Sequence, residues 1–159
     1  MKLIVGVSDM KVSDDPNATL ITYSLGSCIG VVIYDPVAKA GGMLHYMLPE
    51  SNLDAEKAKK NPFMFADTGI PSLFKATYEL GAKKQRMKVA VMGGSQVLDQ
   101  KGFFNIGKRN HTALRKLFFK NNVITSYEDV GGNVNRTVRL EMNTGDIYNK
   151  VSGNGEIKI

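Results

Sequence analysis

Cys28 is the only cysteine in the chain, and its thiol is the first candidate nucleophile. It lies in the segment Leu25-Gly26-Ser27-Cys28-Ile29-Gly30, between small residues at the predicted start of a strand. Glycine lets the backbone turn tightly and lets another molecule approach closely, and backbone N–H groups in such a turn can stabilise a developing oxyanion. A lone cysteine can also be packed as a small hydrophobic residue. This segment alone therefore leaves a nucleophile and a core residue as alternatives.

His45 is the candidate base for this thiol. It lies in the next predicted strand, so the side chains of Cys28 and His45 can meet if the two segments pair as a hairpin. A neighbouring imidazole can take the thiol proton, or hold the thiolate as an ion pair with a pKa below the free value of about 8.5. The alternative is a core histidine that is hydrogen-bonded to a backbone carbonyl. The second histidine, His111, is predicted to be exposed on a helix and non-catalytic.

Other residues that could do chemistry have weaker patterns. Ser24 and Ser27 are not framed by a Gly-x-Ser-x-Gly elbow. The glycine pairs at 41–42, 93–94 and 131–132 match no phosphate-binding fingerprint, so they predict turns and close packing. A single cysteine excludes a cysteine-based metal cage within one chain, and two histidines make a histidine-rich site unexpected.

The elements that must position Cys28 and His45 are predicted to be strands. Residues 20–25 alternate in polarity, residues 29–34 form a β-branched run that ends at Asp35-Pro36, and residues 42–47 follow a turn signal. A further short apolar run spans residues 3–7. Cys28 and His45 therefore fall on or beside consecutive strands of one hairpin.

In the rest of the chain the spacing of the apolar residues changes. Residues 49–62 are predicted to form a long surface loop with a helical turn near 55–59. Apolar residues at helical spacing predict one helix between an Asp67 cap and Gly81, and a second from an Asn105 cap through Phe118. Strands are predicted at 86–92, 123–130, 135–142 and 147–151. Residues 1–159 thus predict a single α/β domain with a mixed, sandwich-like β-sheet system and two main helices packed on it.

Composition narrows the function classes. Lys and Arg number 21 against 15 Asp and Glu, a formal net charge of +6 at pH 7, but the cations are scattered and no aromatic-interleaved basic motif appears. The charge therefore favours a solvated basic surface, or one suited to an acidic protein partner, over nucleic acid. No stretch approaches the roughly 18 apolar residues of a membrane span, and the N-terminal apolar run is too short for a signal peptide. We expect a cytoplasmic protein without membrane insertion.

Several motifs, taken in order, resemble one known family. Leu25-Gly26-Ser27-Cys28 and the segment from His45 to Pro49 resemble the signature of the CheD family, the chemoreceptor glutamine deamidases. The similarity continues through residues 65–68, 88–94, 105–110 and 129–133, then to Arg136 and the turn at 144–145. Phe65 stands where the family commonly has Tyr, and Ser95 where it commonly has Ala. The resemblance spans nearly the whole chain, except for the loop at residues 50–62.

This resemblance implies a site and a reaction. The catalytic cysteine of the family falls on Cys28, its histidine on His45, and its third member, a threonine, on Thr22. The implied reaction is hydrolysis of glutamine side chains on the cytoplasmic helices of chemoreceptors through a thioester, without a metal or cofactor. Some members also hydrolyse receptor methyl esters, and many bind a CheC-type phosphatase.

A non-catalytic chemotaxis adaptor is the alternative function. Phe103-Phe104 could be an exposed apolar anchor for a receptor or a phosphatase, or core residues next to the second helix. An intact Cys28–His45 pair favours the enzyme, because an adaptor has no use for it.

Overall fold

A computed structural model describes residues 1–96 and 105–159 of the chain. Within them, two five-stranded sheets pack face to face, and two long helices cover the outer face of the second sheet. The first sheet has the order β1-β3-β8-β9-β10. Its strands are β1 (Lys2–Ile4), β3 (Thr19–Leu25), β8 (Arg136–Glu141), β9 (Asp146–Val151) and β10 (Gly155–Lys158).

The second sheet has the order β2-β5-β4-β6-β7 and lies between the first sheet and the helices. Its strands are β2 (Asp9–Ser13), β4 (Ile29–Asp35), β5 (Ala40–Tyr46), β6 (Lys88–Gly93) and β7 (Tyr127–Val130), and the helices are α1 (Ala55–Lys60), α2 (Ala66–Glu79) and α3 (Ile106–Lys120). None of the helices in the described part of the chain is long and apolar enough to cross a membrane.

The central strand β4 is buried on both faces, which explains its continuous β-branched run. Alternate residues point to two separate cores. Val32 packs between the sheets, whereas Val31 packs against the helices, where Leu73 of α2 and Leu114 of α3 cover it. Burying one such side chain stabilises the fold by about 1.5–3 kcal/mol. The packing on both faces fixes which residues of β4 and β5 face the other sheet.

The β4–β5 hairpin is closed by a buried carboxylate at its turn. Asp35 accepts hydrogen bonds from the backbone N–H groups of Val37, Ala38 and Lys83, and from the side chain of Arg86. Burial alone would raise the pKa of Asp35, but these donors outweigh it and lower the pKa to about 2. The charged carboxylate therefore holds the turn, and with it the register of the strands that lead to the site.

The predicted fold class and the predicted hairpin are confirmed: the sheets form a mixed α/β sandwich with two main helices, and β4 pairs with β5. The helical turn near 55–59 is confirmed as α1. Gly81, with φ of +95°, follows the end of α2 as expected.

Other predicted boundaries are wrong. Helix α2 begins one residue after Phe65 rather than at an Asp67 cap, because the Asp67 carboxylate accepts hydrogen bonds from the backbone and hydroxyl of Ser51. The strand predicted at 123–130 begins at Tyr127. Strands β2 and β10 were not predicted. Phe103 and Phe104 lie outside the described residues.

Candidate active site

Cys28 ends the short connection between β3 and β4, at the edge of the core between the sheets. Its side chain is half-buried and packs against that core. The connection is held by the segment after β6, where the N–H of Gly94 donates to the carbonyl of Cys28 and the N–H of Ser95 donates to the carbonyl of Gly26, both at 2.9 Å. These bonds extend the β4–β6 pairing beyond the end of the ladder, so the position of Cys28 depends on the 93–95 segment.

Gly93 permits this close approach. Its φ is +119°, in the region that favours glycine, and a Cβ added there would overlap the carbonyl oxygen of Cys28. The interpretation of the 93–94 pair as turn and close packing is confirmed. The same segment is anchored from the first sheet, because the buried guanidinium of Arg136 donates to the carbonyl of Gly93 and to the hydroxyl of Ser95.

His45 lies on β5 on the same face as Cys28. Its register partner on β4 is Gly30, two residues after Cys28. Residues in such diagonal positions have Cα atoms roughly 7–8 Å apart, and their side chains can interact. His45 is 2% exposed, and its Nε2 has no hydrogen-bond partner among the described residues. Catalytic hydrogen bonds are often long without substrate and shorten when it binds.

Thr22 reaches His45 from the opposite sheet. Its Oγ1 lies 2.7 Å from His45 Nδ1 and 2.7 Å from the carbonyl oxygen of Val5, and Thr22 is fully buried. Hydrogen-bond accounting assigns the imidazole tautomer. The hydroxyl has one proton, which it donates to the Val5 carbonyl, so it accepts from Nδ1–H of His45. Nε2 is then the unprotonated nitrogen, as a general base requires.

Burial favours the neutral form of both groups. It lowers the pKa of His45 to about 4, although the charge of Asp9 on the neighbouring strand β2 opposes the shift. It raises the pKa of Cys28 to about 11, although the backbone N–H of Cys28 opposes the shift. At neutral pH Cys28 is therefore a thiol and His45 a neutral imidazole, rather than a thiolate–imidazolium pair. Such a thiol reacts when a base removes its proton during attack.

Thr22 and His45 thus meet between the sheets, and Cys28 lies on the same face of the second sheet, diagonal to His45 across β4 and β5. His111 lies elsewhere, on α3: its Nε2 lies 2.7 Å from Glu128 Oε1, and its side chain is partly exposed. Within residues 1–96 and 105–159, no three His, Cys, Asp or Glu side chains are grouped to hold a metal ion.

Two contributors to this geometry were not predicted. The Val5 carbonyl acts through its backbone, so the type of its side chain gives no signal. Asn110 of α3 contacts the segments on both sides of the site, and its signal was a polar residue within an apolar helical stripe.

Comparisons with known proteins indicate the same family as the sequence motifs. Residues 47–151 match the family model described as CheD chemotactic sensory transduction. A probable chemoreceptor glutamine deamidase CheD 1 of Syntrophus aciditrophicus is 58% identical over 151 residues, covering 95% of this chain and 94% of the relative. Proteins with corresponding names in Solibacter usitatus and Anaeromyxobacter dehalogenans are 47% and 45% identical, covering 96% and 90% of this chain and 90% of each relative.

Proposed function

Because this chain belongs to the CheD family, we propose that it is a chemoreceptor glutamine deamidase that works through a thioester on Cys28. The observation that supports this mechanism is the 2.7 Å contact between Thr22 Oγ1 and His45 Nδ1, which leaves Nε2 of His45 free on the face shared with Cys28. The receptor glutamines would lie on cytoplasmic helices, and the formal net charge of +6 suits an acidic partner.

In the first half of the reaction, the Cys28 sulfur attacks the side-chain amide carbon of glutamine while Nε2 of His45 takes the thiol proton. Thr22 accepts from Nδ1–H and stabilises the imidazolium that forms. The backbone N–H groups of Ser27 and Cys28, which donate to no other residue in the described part of the chain, are candidates to stabilise the oxyanion. The imidazolium then protonates the amide nitrogen, the C–N bond breaks, and ammonia leaves a thioester.

In the second half, water attacks the thioester carbon and His45 takes a proton from the water. The C–S bond breaks, the sulfur leaves as a thiolate, and the imidazolium returns a proton to it. The balance is one glutamine and one water consumed, and one glutamate and one ammonia formed. Ionisation of the new glutamate then leaves one negative charge on the receptor. No step needs a metal or a cofactor.

The test is the mass of a receptor cytoplasmic fragment incubated with the purified protein, because each deamidation adds about one dalton. The wild type should shift the mass at particular glutamines. Cys28→Ala and His45→Ala should abolish the shift, whereas His111→Ala, a matched histidine variant on α3, should retain it. Binding of the fragment without a mass shift would instead support the adaptor. A CheC-type phosphatase is the second partner that we propose, tested by co-purification with this chain.

A further inference from the structure

Asn110 links α3 to both segments that hold the proposed catalytic pair. Its side chain is fully buried, and its Nδ2 donates to the carbonyl of Ser27 at 2.9 Å and to the carbonyl of Met47 at 3.0 Å. Ser27 directly precedes Cys28, and Met47 follows His45 by two residues. The backbone carbonyl of Asn110 also accepts a 2.7 Å hydrogen bond from the hydroxyl of Tyr46.

These contacts lie where the β4–β5 ladder ends. The last register pair at this end is Ile29 with Tyr46, so neither Ser27 nor Met47 belongs to a strand. Two strands that are no longer paired can separate, and the relative position of Cys28 and His45 would change with them. The two N–H groups of one side-chain amide replace the missing ladder bonds and hold the carbonyls of both chain segments together.

The hydrogen bonds of the amide are one-sided. Both protons of Nδ2 are used, whereas Oδ1 is buried and has no partner among the described residues. An unpaired buried carbonyl oxygen is unfavourable, and a leucine, whose side chain is larger but branches at the same carbon, would have no such atom. The buried Oδ1 of Asn110 therefore destabilises the fold in a way that packing does not require. What an asparagine contributes at this position is the two hydrogen bonds that its Nδ2 donates.

We infer that Asn110 is a positioning residue of the deamidase, which sets the distance between the Cys28 thiol and the His45 imidazole from outside the site. It makes no hydrogen bond to either side chain and acts through the carbonyls of Ser27 and Met47. This inference rests on the proposed function where it is tested by deamidation activity. It does not rest on that function where it is tested by the alkylation of Cys28.

The test compares Asn110→Leu with Leu73→Ala. Leu73 is fully buried on α2 and makes no hydrogen bond to the two segments. Leu73→Ala should therefore lower the free energy of unfolding, as Asn110→Leu does, while the segments that contain Ser27 and Met47 stay in place. Urea titration measures the loss in free energy of unfolding for each variant and shows whether the two losses are similar. If Asn110→Leu does not fold, Asn110→Ser takes its place, because a serine hydroxyl is too short to bridge both carbonyls.

Two readouts should move in opposite directions. Deamidation kcat should fall about 100-fold with KM within about threefold, as expected when reacting groups are misplaced by about 1 Å. Alkylation of Cys28 by iodoacetamide should become faster, with its pH midpoint lowered from about 11 toward the ordinary thiol value, because the released segment exposes the sulfur. As Cys28 is the only cysteine, labelling reports on it alone.

The inference is overturned if Asn110→Leu keeps kcat within about threefold of the wild type, or if its alkylation midpoint does not move. It is also overturned if Leu73→Ala shows the same pair of changes. Failure of the proposed function has a different result, because a wild type without deamidation would still show the alkylation difference between the variants.

Discussion

Replacing Thr22 with valine removes one hydroxyl from the site and keeps the shape of the side chain. Two hydrogen bonds of 2.7 Å are lost, one to the Val5 carbonyl and one to His45 Nδ1. Both partners stay buried, and each unsatisfied buried group costs about 1–3 kcal/mol. We therefore expect the free energy of unfolding to fall by about 2–6 kcal/mol in Thr22→Val.

The same variant should lose activity beyond its loss of stability. Without Thr22 Oγ1, nothing in the site selects the tautomer with the proton on Nδ1, and the imidazolium loses its hydrogen-bond acceptor. A loss of about 1.4–2.7 kcal/mol of transition-state stabilisation lowers kcat about 10- to 100-fold. Thr22→Ser is the matched control: it keeps the hydroxyl and loses a methyl, so it should retain most of the activity.

The assay is ammonia release from a receptor fragment, measured below the unfolding transition of both variants. Urea titration separately gives the change in stability. Equal kcat in Thr22→Val and the wild type would refute the assigned roles of Thr22 and of the tautomer. Equal losses in Thr22→Ser and Thr22→Val would show that packing, rather than the hydroxyl, is what the site needs.

Two further predictions concern the thiol. Since burial raises the pKa of Cys28 to about 11 and lowers that of His45 to about 4, the rate of alkylation by iodoacetamide should keep rising with pH from 7 to about 10; a plateau below pH 8 would indicate a resting ion pair instead. Gly93→Ala should lower both stability and kcat, because its Cβ would overlap the Cys28 carbonyl, whereas Gly6→Ala, where a Cβ has open space, should change neither; an active, stable Gly93→Ala would contradict this role of the segment.

Local patterns were enough to predict the hairpin and the two long helices. The β-branched run of β4, the turn at Asp35 and the apolar spacing of α2 each reflect one element and its immediate packing. Strand β10 was missed because its residues are exposed and largely polar. Strand β2 was missed although Met10 and Val12 alternate with polar residues and pack against the core under the helices, because two half-buried apolar residues make a weak pattern. An edge strand of this kind is specified mainly by its partner.

The site residues also differ in how far the sequence could predict them. The diagonal placement of Cys28 and His45 followed from the hairpin, which is local in sequence. The contact between Thr22 and His45 crosses from one sheet to the other, and no periodicity in either strand specifies how two sheets face each other; only the family resemblance pointed to Thr22. The role of Asn110 was harder still to predict, because its partners are backbone carbonyls of segments that lie far away in the sequence.

Trapping of the acyl-enzyme tests the central claim most directly. Wild-type protein is mixed with a receptor peptide that contains a target glutamine, quenched in acid, and analysed by intact mass and peptide mapping. The mechanism predicts an adduct on Cys28 that has the mass of the peptide less one ammonia, is released by hydroxylamine, and is absent in Cys28→Ala. Deamidation of the peptide that persists in Cys28→Ala, without any adduct in the wild type, would contradict it.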